Sequence, residues 1–153
     1  MKKPKAVDLP NYGVLECELE EKDISNLWTL VHKYAPSAKW EGNRLLEIDQ
    51  ENKQFALCDD DELFQNNVLM PAAQTYFETY GTPYKHKTTH HHIPTFNRFW
   101  CRVSKDGDYQ SIHDHQGIFT FVVWLKIPFE GEEERQVQAG FRPEAGDFVL
   151  CYP

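Results

Sequence analysis

The chain has 153 residues, of which 41% are hydrophobic, 26% charged and 14% aromatic, enough to bury one core and ordinary for a single globular domain. Its formal net charge of -8 opposes a sequence-independent grip on a phosphate backbone, so nucleic-acid backbone binding is not expected. No apolar run approaches the length of a membrane span, and "MKKPKAVDLP" lacks the apolar centre of a signal peptide. Cys17, Cys58, Cys101 and Cys151 are widely scattered with no CxxC pair, the usage expected of reduced thiols in a cytoplasmic protein.

Residues 1–22 are charged and irregular, with Pro4 and Pro10, and read as an arm or an edge strand. From Asp23 the apolar positions Ile24, Leu27, Trp28 and Val31 recur at helical spacing, with Asp23 able to cap the start. This helix should end near Pro36, because the residue before a proline resists helical geometry. "EGNRLLEID" (41–49) reads as a turn and a short extended piece. A second helical pattern covers Leu63 to Tyr80, with Val68, Leu69, Ala72, Tyr76 and Tyr80 on one side. Pro71 predicts a break there or a helix starting just before it, and Gly81 and Pro83 form the stop signal.

The texture changes after residue 82. "TPYKHKTTHHHIPT" is polar and proline-bounded, hence a loop or a sheet edge, whereas "FNRFWCRVS" (96–104) alternates like a strand. "KDGD" supplies an Asp-Gly hairpin signal. In "IFTFVVWLKIP", Phe119, Phe121, Val123, Leu125 and Ile127 share one face and Thr120, Val122, Trp124 and Lys126 the other, which predicts a central buried strand. "EGEEER" is a solvated acidic loop, and "QVQAGF" and "GDFVLCY" are two further short strands. Helices first and antiparallel strands after predict an α+β fold, one domain over 1–153 with a helical region over 1–83 and β-structure over 95–153.

The histidines carry the chemistry. His90, His91 and His92 are consecutive, so they cannot all face one ion from a strand, and an exposed loop explains them. His32 falls within the first helix and reads as a half-exposed surface residue. His113 and His115 differ, because strand alternation puts both on one side with Asp114 on the other. Two imidazoles on one face can share a metal ion, and they can equally face water. Neutral imidazole suits Fe, Zn, Cu and Ni.

"FWCRVSKDGDYQSIHDHQGIFTFVVWLKIPFEGEEE" resembles a group of iron- and 2-oxoglutarate-dependent oxygenase-like proteins common in tailed phages of marine bacteria. There a Trp-initiated strand leads through a short turn to an H-x-H segment. A Ser-Phe-Val-rich strand ending in "IP" and an acidic stretch follow. The similarity runs over roughly residues 96–153, and "LMPAAQTYFETYG" is similar to the family's helix before the barrel. The resemblance implies N-terminal helices packed on an antiparallel double-stranded β-helix, the cupin-like jelly roll. It implies host-cytoplasmic Fe(II) chemistry with 2-oxoglutarate as co-substrate, acting on a small molecule, peptide or nucleobase that it does not specify.

Carried over by position, His113 matches the family's first iron ligand and His115 stands where most of the wider superfamily has Asp or Glu. That exchange leaves the metal centre one unit more positive; Asp114 could supply the carboxylate if the segment leaves strand geometry, or face away as a hydrogen-bonding neighbour behind the ligands. Arg102, Thr120 and Trp124 are strand residues that could line a 2-oxoglutarate pocket. A guanidinium at Arg102 could pair with a carboxylate or be exposed, and Trp124 could be plain packing. "PEAGDFVLCYP" is similar to the segment preceding the distal histidine, so the expectation is an incomplete barrel lacking its last strand or strands, with a sheet edge left unpaired. Two alternatives stand beside the dioxygenase: a cupin-like metal-binding protein, and a non-enzymatic jelly-roll module. The cupin motif continues with a Glu, which "HDHQGIFTF" lacks.

Overall fold

A computed structural model of the chain describes residues 4–7, 13–35, 38–42, 44–48, 53–81, 98–104, 108, 113, 115 and 119–127. The described residues are mixed α and β, with two α-helices and three two-stranded antiparallel sheets. The charged N-terminal arm forms the first sheet, β1 (Lys5–Val7) against β2 (Val14–Glu16). It is followed by α1 (Glu21–Tyr34), by the hairpin β3 (Lys39–Glu41) and β4 (Arg44–Glu47), and by β5 (Gln54–Ala56). Gly42 turns the hairpin at φ +55°, a left-handed conformation that glycine adopts without steric penalty.

Helix α1 begins two residues before the expected start. Glu20, in extended geometry, is the N-cap, and its carbonyl accepts from the backbone N–H groups of Asp23 (2.9 Å) and Ile24 (3.1 Å). Asp23 is therefore not the cap but sits inside the first turn, only 3% exposed, where a carboxylate faces the positive end of the helix dipole. The helix stops at Ala35, whose ψ of 103° is the extended geometry that a following proline demands. Leu27 and Val31 are buried, as their spacing requires.

The second helical segment absorbs its proline without a break. Helical geometry starts at Leu63, passes through a π-helical turn over Gln65–Leu69, and continues as α2 (Met70–Tyr80). Within the turn the Met70 N–H reaches back five residues to the Gln65 carbonyl. The wider turn sits directly before Pro71, which has no N–H to offer an α-helical ladder. The Asp59 carboxylate accepts from the Gln65 backbone N–H at 2.8 Å and anchors the start. Gly81, at φ +79°, ends α2 as expected.

The last described strand, β6 (Trp100–Arg102), lies within the stretch read as a strand, but its partner comes from upstream. It pairs antiparallel with β5 in the register Gln54↔Arg102, Phe55↔Cys101, Ala56↔Trp100. Leu57 N–H to Phe99 carbonyl (2.9 Å) and Val103 N–H to Lys53 carbonyl (2.8 Å) extend the pairing at both ends. The Asp-Gly pair 106–107 expected to turn, the histidine run 90–92, Asp114, Cys151 and the two stretches expected as C-terminal strands lie outside the described residues.

Residues 119–127 keep the expected alternation but not the expected ladder. Phe119, Phe121, Val123 and Leu125 are half-buried, while Thr120, Val122, Trp124 and Lys126 are exposed. Ile127 is exposed too, where the pattern had put it on the inner face. Facing follows from which side chains reach the core. A ladder also needs a neighbouring strand at hydrogen-bonding distance, and none is among the described residues.

The core has two lobes. One is Val31, Ile48, Phe55 and Leu57; the other is Leu27, Phe64 and Val68; Phe99 and Leu125 pack against both. Phe64 was not among the residues read as the inner face of the second helix, yet it is 2% exposed. Its ring stacks on Phe99 (centroids 5.7 Å, planes 7° apart) and meets Phe121 at 6.0 Å. Of the thiols, Cys17, Cys58 and Cys101 are free.

A surface network ties the end of α1 to the loop after β5. Asp60 accepts from Lys33 Nζ (2.8 Å), Tyr34 Oη (2.6 Å) and Cys58 Sγ (2.8 Å). Hydrogen bonds from Cys58, Lys33 and Tyr34 hold the Asp60 carboxyl well below the usual carboxylate range, and the same carboxylate raises the Cys58 thiol and Lys33. Burial pushes the Cys101 thiol up to about 11.

Two predictions follow from this packing. Phe64→Ala should cost about 3–5 kcal/mol in urea unfolding, the range for emptying an aromatic core site. Leu63→Ala, at a neighbouring exposed position, should stay within about 0.5 kcal/mol.

The second concerns Asp60→Ala, which removes the acceptor that keeps Cys58 protonated. Iodoacetamide kinetics mapped by mass spectrometry should show Cys58 alkylating faster in this variant and Cys101 slowest in both proteins. The depressed Asp60 carboxyl stabilises the fold above the unfolded carboxylate range, and that contribution is lost as the pH falls through its folded value. The stability gap between parent and variant, read from melting temperatures, should therefore be present at neutral pH and narrow below pH ~3.9.

Candidate metal centre

Strand alternation sorts β6 and its flanks into two faces. Phe99, Cys101 and Val103 point into the core, so Trp100 and Arg102 stand on the outer face with Gln54 and Ala56 of β5. The outer face is polar or small except for the Trp100 indole. Against that indole lies the ring of His115, centroids 5.2 Å apart and tilted by 45°. His113 lies next to His115, with ring centroids 4.8 Å apart.

The two imidazoles converge edge to edge, Nε2 to Nε2 at 2.8 Å. His113 is exposed and His115 half-buried, so the pair stands on the outer face of the β5–β6 sheet rather than on the closed floor of a cavity. The half-buried ion pair of Lys53 with Asp108 (2.8 and 2.9 Å to the two carboxylate oxygens) fastens the chain between β6 and His113 to the start of β5.

The separation has a specific chemical meaning. Metal–imidazole bonds of about 2.0–2.1 Å meeting at a right angle place their nitrogens roughly 2.9 Å apart, whereas a tetrahedral angle places them roughly 3.3 Å apart. The observed 2.8 Å fits two neighbouring positions of a six-coordinate or square site. It fits equally an N–H···N hydrogen bond in which one ring donates from Nε2 and the other accepts. The two states differ in tautomer: ligation needs both Nε2 atoms unprotonated, and the hydrogen bond needs one proton there.

Among the described residues no third His, Cys, Asp or Glu joins the pair to complete a group that could hold a metal ion. Two neutral nitrogen donors suit Fe(II), Ni(II) or Cu(II) by donor type, and they supply two positions of the shell. Of the remaining residues expected at the site, Arg102 shares the outer face of β6 with Trp100. Thr120 and Trp124 are exposed on the outward side of 119–127, Trp124 at 55%.

His32 is exposed and forms an aromatic triangle with two indoles, Trp40 at 4.9 Å and Trp28 at 5.8 Å, which also meet each other at 5.8 Å. The shallow groove beside it is walled by α1 alone, through Glu21, Ile24, Ser25, Trp28, Thr29 and His32, and shares no residue with the imidazole pair. Sequence reasoning did not single out Trp100. The signal was there, since it is the one aromatic among Arg98, Trp100, Arg102 and Ser104, the positions that alternate outward.

With the geometry in place, the chain can be set beside known proteins. No protein-family model, no curated protein and no solved structure matches it.

Proposed function

We propose that the chain is a non-haem Fe(II)- and 2-oxoglutarate-dependent dioxygenase, or an incomplete version of one, built on a double-stranded β-helix. The observation that carries this reading is the convergence of His113 Nε2 on His115 Nε2 at 2.8 Å, a spacing suited to two neighbouring ligand positions. The alternating burial of 119–126, with Phe121 against Phe64, supports the β-structure of this part of the chain.

In this reading His113 and His115 hold the iron through Nε2, and Arg102 offers a guanidinium to a carboxylate of the co-substrate. Bound iron, with 2-oxoglutarate and O₂, supplies the oxidising chemistry. The chain's own contribution is to orient the two nitrogens. A second reading, a module without metal, is favoured by the same 2.8 Å contact if it is a hydrogen bond between the rings.

Anaerobic Fe(II) titration separates the two. The parent should bind saturably, His113→Ala with His115→Ala should abolish that binding, and alanines at His90, His91 and His92 should leave it intact. Succinate release dependent on iron and 2-oxoglutarate then separates a dioxygenase from a metal-binding protein. If the 90–92 variant loses the iron while the 113/115 variant keeps it, the site is misplaced.

A further inference from the structure

We infer that Trp100 is a positioning residue for this site: its indole fixes the ring of His115 so that Nε2 faces that of His113. The inference rests on the reading of the imidazole pair as ligands, and it adds a residue that reading does not include.

Trp100 opens β6, its Cα is in register with Ala56, and its neighbour Phe99 takes a backbone hydrogen bond from Leu57. The base of the indole is therefore set by the core sheet. His113 and His115 lie in no helix or strand, so the backbone ladder does not set their rings. Ala56, the cross-strand neighbour on the outer face, is too short to cover the indole. The indole instead meets His115, centroids 5.2 Å apart and planes tilted by 45°, while the Nε2 edge of His115 meets that of His113 at 2.8 Å.

His115 thus touches an anchored indole with its ring and the second imidazole with its Nε2 edge. A metal bond lies in the plane of an imidazole, along the nitrogen lone pair. The indole contact therefore restricts the tilt of the His115 ring, while the Nε2 edge is turned to His113. This is the role that hydrogen-bonding partners behind a ligand play elsewhere, orienting the ring without touching the ion. Here a packed aromatic takes that role.

The test uses two readouts on the full chain, one of them independent of metal. The first is the NMR position of the His115 ring protons in metal-free protein. A neighbouring indole shifts them by its ring current, so Trp100→Leu and Trp100→Met should move them and Trp100→Phe should largely preserve the shift. The methionine variant keeps side-chain bulk without a ring, so it still reports should the leucine variant fail to fold. The second readout is Fe(II) affinity under anaerobic conditions, expected to fall by about 10-fold in the Leu and Met variants and to be restored by Phe.

Unmoved His115 signals in the Leu and Met variants would overturn the inference, whatever the iron does. Shifted signals with unchanged iron affinity would also overturn it, by showing a contact that positions nothing. Signals that respond to Trp100 in a parent protein that binds no iron would instead overturn the metal reading and leave the Trp100–His115 contact standing.

Discussion

The pairing of Gln54–Ala56 with Trp100–Arg102 is the constraint on which the rest of the described structure depends. It joins segments far apart in the chain, and its register decides which side of β6 faces inward. With Phe55 opposite Cys101 on the buried side, the odd-numbered residues 99, 101 and 103 enter the core and the even-numbered ones face out. A slip of one residue would reverse this. It would bury Trp100 and Arg102 and remove the surface on which the imidazoles rest. Backbone hydrogen bonds to Phe99 and from Val103 lengthen the pairing on either side and make such a slip harder.

Aromatic packing then connects this sheet to the helices. Phe99 belongs to both lobes of the core and stacks on Phe64. Phe121 touches both of those rings, at 6.0 and 5.7 Å. Phe119 meets Tyr76 and Phe77 of α2 edge-on, at 5.3 and 5.0 Å. The inward residues of 119–127 are thus seated on rings contributed by the second helical segment and by the residue before β6. Side-chain packing, rather than a described ladder, holds that segment in place.

Charge works at the margins. The Asp60 network and the Lys39–Glu47 pair are exposed, where water and salt screen them and each adds little. Lys53 and Asp108 are each only about one-fifth exposed on the side chain, and their pairing has a positional consequence. It fastens Asp108, which lies between β6 and His113 in the chain, to the residue that precedes β5.

Much of the local structure was legible in the residues themselves, because local rules decide it. The spacing of Leu27 and Val31, the extended residue before Pro36, Gly81 as a terminator and the alternation along 119–125 each depend on a few neighbouring side chains. His113 and His115 do come together, but they lie in no strand, so strand alternation is not what brings them there. Other features were decided only by the tertiary structure. Pro71 could have broken its helix, and the preceding π-helical turn absorbs it. Asp23 looked like a cap, but the helix starts at Glu21 and buries Asp23 in its first turn. Which strand pairs with β6 is a long-range matter, since many segments have the β-propensity to do it and only shape and burial choose among them. The same choice brings Trp100 against His115. No spacing rule links residues 100 and 115, so the sequence alone could name two imidazoles, and only the folded sheet could supply the surface that holds them.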